Sequence, residues 1–517
     1  MRHRRPSPRA LAAVAVLTAW AGALTWLGIR TLGQSEAATL SNEASLRLSP
    51  TAGWFAVYSG DEQIGSAGIT LDTLSPGYRI LETVTLELPR GGASPRATRV
   101  TETHLDAALA IQDVRSRSSS GGRQIQWTIH PAKDSVTIGY GAGAFQRSTK
   151  FTIPSPALTL GVLPYRLALT GGLARGRSRQ LLLFGGWPPA ARATPFQVGR
   201  DSLVVFADSA AIDPASGQLT AAHRDSVRAT EVRLDSPLGP YRVWVDRRGG
   251  VAGLDWPLGV HWVRSDFDLA VGEFRRTSRT RSTAITHALG ALAPLAAPGA
   301  LPDTSAGERR FRIERRDGRL VRGALLGYLT GGRQTMQSGV LRVLALPERI
   351  LRTATSARSF DPLAQEAAPE IRALATRFLE GASGGDALAR LAAAIPRLAT
   401  VDTAASAAED ALGTLAARRG RPDGLARLYV AIARAGGIQA RYVVGVLPRG
   451  DHILTHAWAE VWDGATNNWI AVDPVFGRAV AGAGLIRIGY AGSSHPDDLR
   501  PMLAQAKFTS LDSAEAP

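Results

Sequence analysis

The 517-residue chain contains no cysteine, and that absence removes whole classes of chemistry. Without a thiol there is no disulfide framework, no Cys-ligated zinc or iron–sulfur centre and no cysteine nucleophile. Lysine is nearly as scarce. Lys133, Lys150 and Lys507 are the only three, so 57 of the 60 basic residues are arginine. A formal charge of +16 would ordinarily point to nucleic acid. Here the arginines are dispersed through a chain rich in Ala, Gly, Arg and Pro, a composition that GC-rich coding produces, and no nucleic-acid partner is expected. They thicken only at Arg275–Arg281 and Arg309–Arg322. There membrane phosphates or an anionic envelope polymer fit better than DNA. With 45% hydrophobic and 20% charged residues, bulk disorder is excluded and two to four domains are expected.

Long apolar runs are also few, and one stands out. Arg2, Arg4, Arg5 and Arg9 form a basic tail over residues 1–9, and an uncharged stretch follows over 10–29, closed by Arg30. At 1.5 Å per residue this stretch is about 30 Å long, the thickness of a bilayer core. The excess of arginine before it predicts a signal-anchor with the N-terminus cytoplasmic. The expectation is a single-pass protein of a bacterial inner membrane, touching the lipid bilayer through residues 10–29, with its body in the periplasm. The alternative is a long signal peptide cut near Ala37–Ala38.

Residues 37–287 read as a β-rich domain, with period-two patterns broken by turn residues. Trp54–Tyr58 and Ile64–Leu71 flank Ser59-Gly60-Asp61 as a hairpin, and Ile125, Trp127 and Ile129 alternate after a Ser/Gly loop. Tyr241, Val243 and Val245 run into a turn at Asp246–Gly250. The tryptophans of this region (Trp54, Trp127, Trp187, Trp244, Trp256 and Trp262) read as strand core, with a ligand cleft as the alternative. Residues 288–308 read as an Ala/Pro/Gly linker. Residues 309–355 hold a hairpin at Arg316-Asp317-Gly318-Arg319, whose arginines are the best candidates for an anionic contact.

Helical periodicity begins at Asp361-Pro362, a capping side chain followed by proline. Helices are expected over 361–381, 386–395, 404–417 and 422–435, the last stopped by Gly436-Gly437. Strands are expected at Ala440–Val446, His456–Trp462 and Trp469–Asp473. The domain spans 360–490, and 491–517 is a tail. The fold class expected for the chain is α+β: an N-terminal transmembrane helix, an antiparallel β-rich middle and a C-terminal α+β domain.

Three ordered blocks in that domain resemble the transglutaminase-like superfamily, papain-type cysteine enzymes. They are Gly420 to Arg441 with Ala433-Arg434-Ala435-Gly436-Gly437-Ile438-Gln439-Ala440-Arg441, then His456-Ala457-Trp458-Ala459-Glu460, then Trp469 to Asp473-Pro474. The resemblance implies acyl transfer through a thioester. A cysteine at a helix N-terminus would be the nucleophile, His456 the proton shuttle and Asp473 the residue that orients it. The nucleophile position falls on Pro422. Proline suits a first helical turn, yet it removes the thiol and the backbone N–H that would enter an oxyanion hole.

Substitutes are few. Asp423 could act as nucleophile or acid/base with His456, or simply complement the helix dipole. Ser406 and Thr455 have no assigned geometry. His452, His456, Glu460 and Asp473 could be read as metal ligands, but the two histidines lie on loop and strand, so no metal and no cofactor are expected. Three functions follow. The first is a catalytically degenerate protein binding a peptide or envelope polymer. The second is a hydrolase or acyltransferase with non-thiol chemistry on His456 and Asp473. The third is a structural envelope protein.

Overall fold

The computed structural model describes residues 17–23, 35–87, 96–120, 123–142, 145–153, 157–185, 189–236, 239–277, 292–297, 307–319, 329–346, 361, 363–381, 384–404, 407–450, 452–464, 466–490 and 496–511. The structure corrects the α+β class. It is mostly sheet, 52% strand against 23% helix. Strands run through most of the front half, whereas among the described residues the longer helices are few: Glu36–Arg47 in front and Pro369–Leu379, Gly384–Leu398 and Pro422–Ala435 behind. The transmembrane helix is corrected too. Of residues 10–29, only 17–23 lie within the described residues; they are helical, and Leu17 and Trp20 are exposed. Among the described residues no helix is long and apolar enough to cross a membrane. This overturns the expected single-pass anchor and the inner-membrane placement built on it.

The front half forms one 15-stranded sheet. The strand Thr51–Ser59 pairs antiparallel with its sequence neighbour Glu62–Leu74 on one side and with the distant Val260–Ser265 on the other. From this central pair two meanders run outward, so the middle of the segment lies at the sheet's edges: Phe145–Thr152 at one, Leu158–Thr159 at the other. Residues 153–157 join those edges. Five residues span at most about 20 Å, so the sheet must curl until its edges approach. One apolar core then collects side chains from across the sheet, including Phe55, Ile80, Trp127, Ile138 and Leu183. The helix Leu163–Leu169 is buried against that core, and the helix Glu36–Arg47 contributes Leu40 and Ala44 to it. Trp127 and Trp262 are core residues; Trp54, Trp244 and Trp256 are half-buried, and Trp187 lies outside the described residues.

The back half begins with Leu292–Pro294, which pairs parallel with Ile453–Thr455. A second sheet runs Leu292–Pro294, His452–Asp463, Ala440–Arg449, Ile486–Tyr490, with Asn468–Val472 also on the His452–Asp463 strand. The helices Pro369–Leu379, Gly384–Leu398, Ala411–Ala417 and Pro422–Ala435 supply the other half of this core. A four-stranded sheet of Gln334–Gln337, Val340–Leu344, Glu308–Arg315 and Ala506–Ser510 sits alongside. The turn Arg316–Arg319 follows Glu308–Arg315, with the Arg315 N–H donating to the Arg319 carbonyl; its expected second strand, 320–326, lies outside the described residues. Ser59 Oγ donates to the Pro501 carbonyl, and Gln505 Nε2 donates to Ser59 Oγ, tying the front sheet to the C-terminal segment.

Candidate functional site

The helix Pro422–Ala435 starts where proline costs least, at its first position, where the lost N–H has no intrahelical partner. Its side chains are buried almost all round, with Leu425 to Ala433 fully enclosed apart from Arg427 at 2%. Gly424 lets a neighbouring segment approach. A Cβ there would lie 2.1 Å from Thr414 Oγ1 and 2.7 Å from the Ala408 carbonyl oxygen. Pro422 itself is buried.

On the adjoining strand His452–Asp463, His456 points inward. Its Nε2 lies 3.0 Å from Asp473 Oδ2, and Asp473 Oδ1 accepts from the Val475 N–H at 3.1 Å. The ring stacks on Phe476, centroids 5.5 Å apart and planes 12° from parallel. Its other nitrogen, Nδ1, is buried without a hydrogen-bond partner among the described residues. Neither side chain of the pair has any solvent exposure. Sequence reasoning named His456 and Asp473 together, and the structure brings them together.

The residues flanking this pair match a known family. Residues 372–474 fit the model described as the transglutaminase-like superfamily. The chain carries a transglutaminase-like domain. No curated protein matches the chain. Among solved structures, a candidate cysteine protease from Cytophaga hutchinsonii is similar at 17% identity and TM-score 0.25, over 41% of this chain and 88% of that one. A β-barrel-like domain of unknown function from Brucella abortus is similar at 12% identity and TM-score 0.30, over 42% and 95%. A candidate protease from Parabacteroides distasonis is similar at 9% identity and TM-score 0.16, over 69% and 67%.

Within the transglutaminase-like domain, Asp423 is bonded to residues other than His456. Its Oδ1 accepts from the Tyr442 hydroxyl at 2.6 Å, and its Oδ2 lies 3.5 Å from Arg421 Nε. Burial pushes its carboxyl up, but Arg421, Arg427 and the Tyr442 hydroxyl outweigh that and hold it below the ordinary value. An aspartate kept ionised by two guanidiniums and a hydroxyl is a poor proton donor and a hindered nucleophile. Tyr442 is driven far up, first by burial and then by Asp423. Arg427 completes the cluster. Its Nε bonds Asp361 Oδ2 at 3.0 Å, and its guanidinium lies 4.0 Å from the centre of the Tyr442 ring. Asp361 is therefore not the start of a helix. Its Oδ1 caps Leu363, the helix begins at Pro369, and its second oxygen is spent on Arg427.

Glu460, considered as a metal ligand from sequence, is saturated by cations. Arg441 reaches its Oε2 through Nε at 2.9 Å and Nη2 at 2.5 Å, and Arg487 Nη1 reaches Oε1 at 3.1 Å. Burial pushes this carboxyl up, yet Arg441 and Arg487 pull it down to about 2. A third guanidinium, Arg333, pairs with no carboxylate among the described residues and donates to the carbonyls of Leu344, Ala481, Gly482 and Leu485. Burial lowers its pKa to about 10. Sequence reasoning missed both clusters. The signal available was the register of Arg441 opposite Glu460, which the two adjacent strands enforce. His452 is exposed, Thr455 is half-buried, and Ser406 lies outside the described residues. Among the described residues, no group of three His, Asp or Glu side chains is arranged to hold a metal ion.

Proposed function

We propose that this protein binds rather than turns over its ligand, and that its transglutaminase-like domain is a catalytically degenerate framework. The observation that carries this reading is the closed His456–Asp473 pair beside a helix that begins with Pro422. The reaction of the fold needs a thiolate, an N–H for the oxyanion and an imidazole that meets substrate. This chain lacks the first throughout, proline removes the second at position 422, and the imidazole has no solvent exposure. Asp423 offers no replacement, because Tyr442 and Arg421 occupy its carboxylate. The pair instead ties the strand carrying His456 to the turn after Asn468–Val472, and binding belongs to the β-rich half.

The test uses the full chain. Amidase, esterase and transamidase assays on peptide and ester substrates are expected to stay at the buffer rate, and His456→Ala is expected to lower stability on the order of 2–4 kcal/mol. A Pro422→Cys thiol is expected to resist alkylation until the protein unfolds. Turnover by the unmodified chain that His456→Ala abolishes, or rapid thiol-dependent turnover by Pro422→Cys in the native state, would refute the proposal.

A further inference from the structure

In the β-rich half, the helix Glu36–Arg47 packs against the helix Leu163–Leu169, and beside them opens a cavity of about 740 Å³ that reaches the strands Ser178–Gly185 and Ala190–Ile212. Its floor is apolar, built from Leu40, Leu163, Leu167, Leu181 and Phe196. Its rim is cationic, with Arg47, Arg166, Arg177 and Arg179 against Glu36 and Glu43. The two glutamates are taken up loosely, Glu43 by Arg47 at 3.6 Å and Glu36 by Arg166 at 3.8 Å. Among the described residues neither Arg177 nor Arg179 pairs with a carboxylate; Arg177 donates to the Gly171 carbonyl at 3.1 Å.

This open cleft falls within the roughly 300–1,000 Å³ of small-molecule sites. The leucine and phenylalanine side chains of the floor offer no hydrogen-bond partners, so that part of the cleft favours an apolar group. The guanidiniums above it match carboxylate and phosphate geometry. We propose that this cavity binds a single-chain anionic amphiphile, its acyl chain against the leucine floor and its carboxylate or phosphate head held by Arg177 and Arg179. This names the ligand class for the binding reading above. It rests on the β-rich half being the binding part and not on the inactivity of His456.

The experiment titrates the purified full-length chain with a dansylated medium-chain fatty acid, then competes it with oleate, with lysophosphatidylglycerol and with inorganic phosphate. Saturable uptake is expected, displaced by oleate or lysophosphatidylglycerol and not by phosphate alone. The stronger competitor identifies the head group. Leu181→Trp, which narrows the apolar floor, and the double variant Arg177→Glu/Arg179→Glu are each expected to weaken binding about tenfold or more. Residue 179 is exposed and 177 half-buried, so the charge variant keeps the test alive if Leu181→Trp misfolds. No saturable uptake, uptake that the charge variant leaves unchanged, or displacement by an acidic peptide but not by oleate would overturn the proposal. Such a failure leaves the non-catalytic reading standing, because that is measured by turnover and not by this titration.

Discussion

Replacing Glu460 by glutamine tests how the transglutaminase-like domain is held together. The side chain keeps its shape and loses its charge among Arg441, Arg487 and Arg333. A carboxylate held at about 2 instead of near 4.5 contributes on the order of 3 kcal/mol at neutral pH, at about 1.4 kcal/mol per tenfold change in proton affinity. The sign follows from the lowered value. The contribution is fully present above the unfolded-state pKa near 4.5 and fades as pH falls towards 2. At pH 3 the unmodified chain should have lost about 2 kcal/mol from this group alone. Glu460→Gln also leaves two guanidiniums buried with no counter-charge, and breaking such a pair costs about 3–5 kcal/mol. Urea unfolding followed by tryptophan fluorescence at pH 7 and pH 3 reads both effects, since Trp458 and Trp469 lie in this region. The variant should be several kcal/mol weaker at pH 7 and should show a shallower acid slope. A loss below about 1 kcal/mol at pH 7, or an acid slope equal to that of the unmodified chain, would refute the assignment of Glu460 as the buried counter-ion.

Two further outcomes are expected. Gly445 lies where the Ile486 carbonyl oxygen and the Trp458 ring would each come within 2.2 Å of a Cβ. Gly445→Ala should therefore cost at least the roughly 1–3 kcal/mol of an overpacked core, read as a lower melting temperature; an unchanged one would show that the two strands yield freely. Arg427→Met should destabilise by about 3–5 kcal/mol because it strands Asp361. The double variant Asp361→Leu/Arg427→Met should recover part of that loss in the same melting experiment, and strict additivity would argue against a coupled pair.

What could be read from sequence depended on how local the signal was. The helix Pro422–Ala435 carries its own start and stop, proline at the first turn and two glycines at the end, and it forms with those bounds. The strands after it show period two and fall at Ala440–Arg449, His452–Asp463 and Asn468–Val472. Helix is expected over 404–417 with Leu412 and Leu415 inward, but among the described residues of that stretch it forms at Ala411–Ala417, where Asp410 accepts from the Gly413 N–H and sets the start. Asp361 shows the same limit from the other side. A capping residue in sequence became half of a buried ion pair with a residue 66 positions away, and nothing in the local pattern announces that. The His456–Asp473 pair was legible because the blocks around the two residues resemble the transglutaminase-like motifs, and the structure places His456 Nε2 3.0 Å from Asp473 Oδ2. Its enclosure was not, since exposure depends on Phe476 and on helices distant in the chain. Of the apolar run at residues 10–29 only 17–23 lie within the described residues, among which no helix is long and apolar enough to cross a membrane.

The pairing of Thr51–Ser59 with Val260–Ser265 has a consequence for biosynthesis. As the chain emerges from the ribosome, its first strand finds one partner at once in Glu62–Leu74, while its other edge waits for Val57 to meet Trp262. During that interval the edge is an open template for wrong pairing, and the join, once available, is non-local and intrinsically slow. Mispairing of the nascent chain should therefore begin at this seam, and a chain cut short before residue 260 should be more prone to associate with other chains than one that has just passed residue 265.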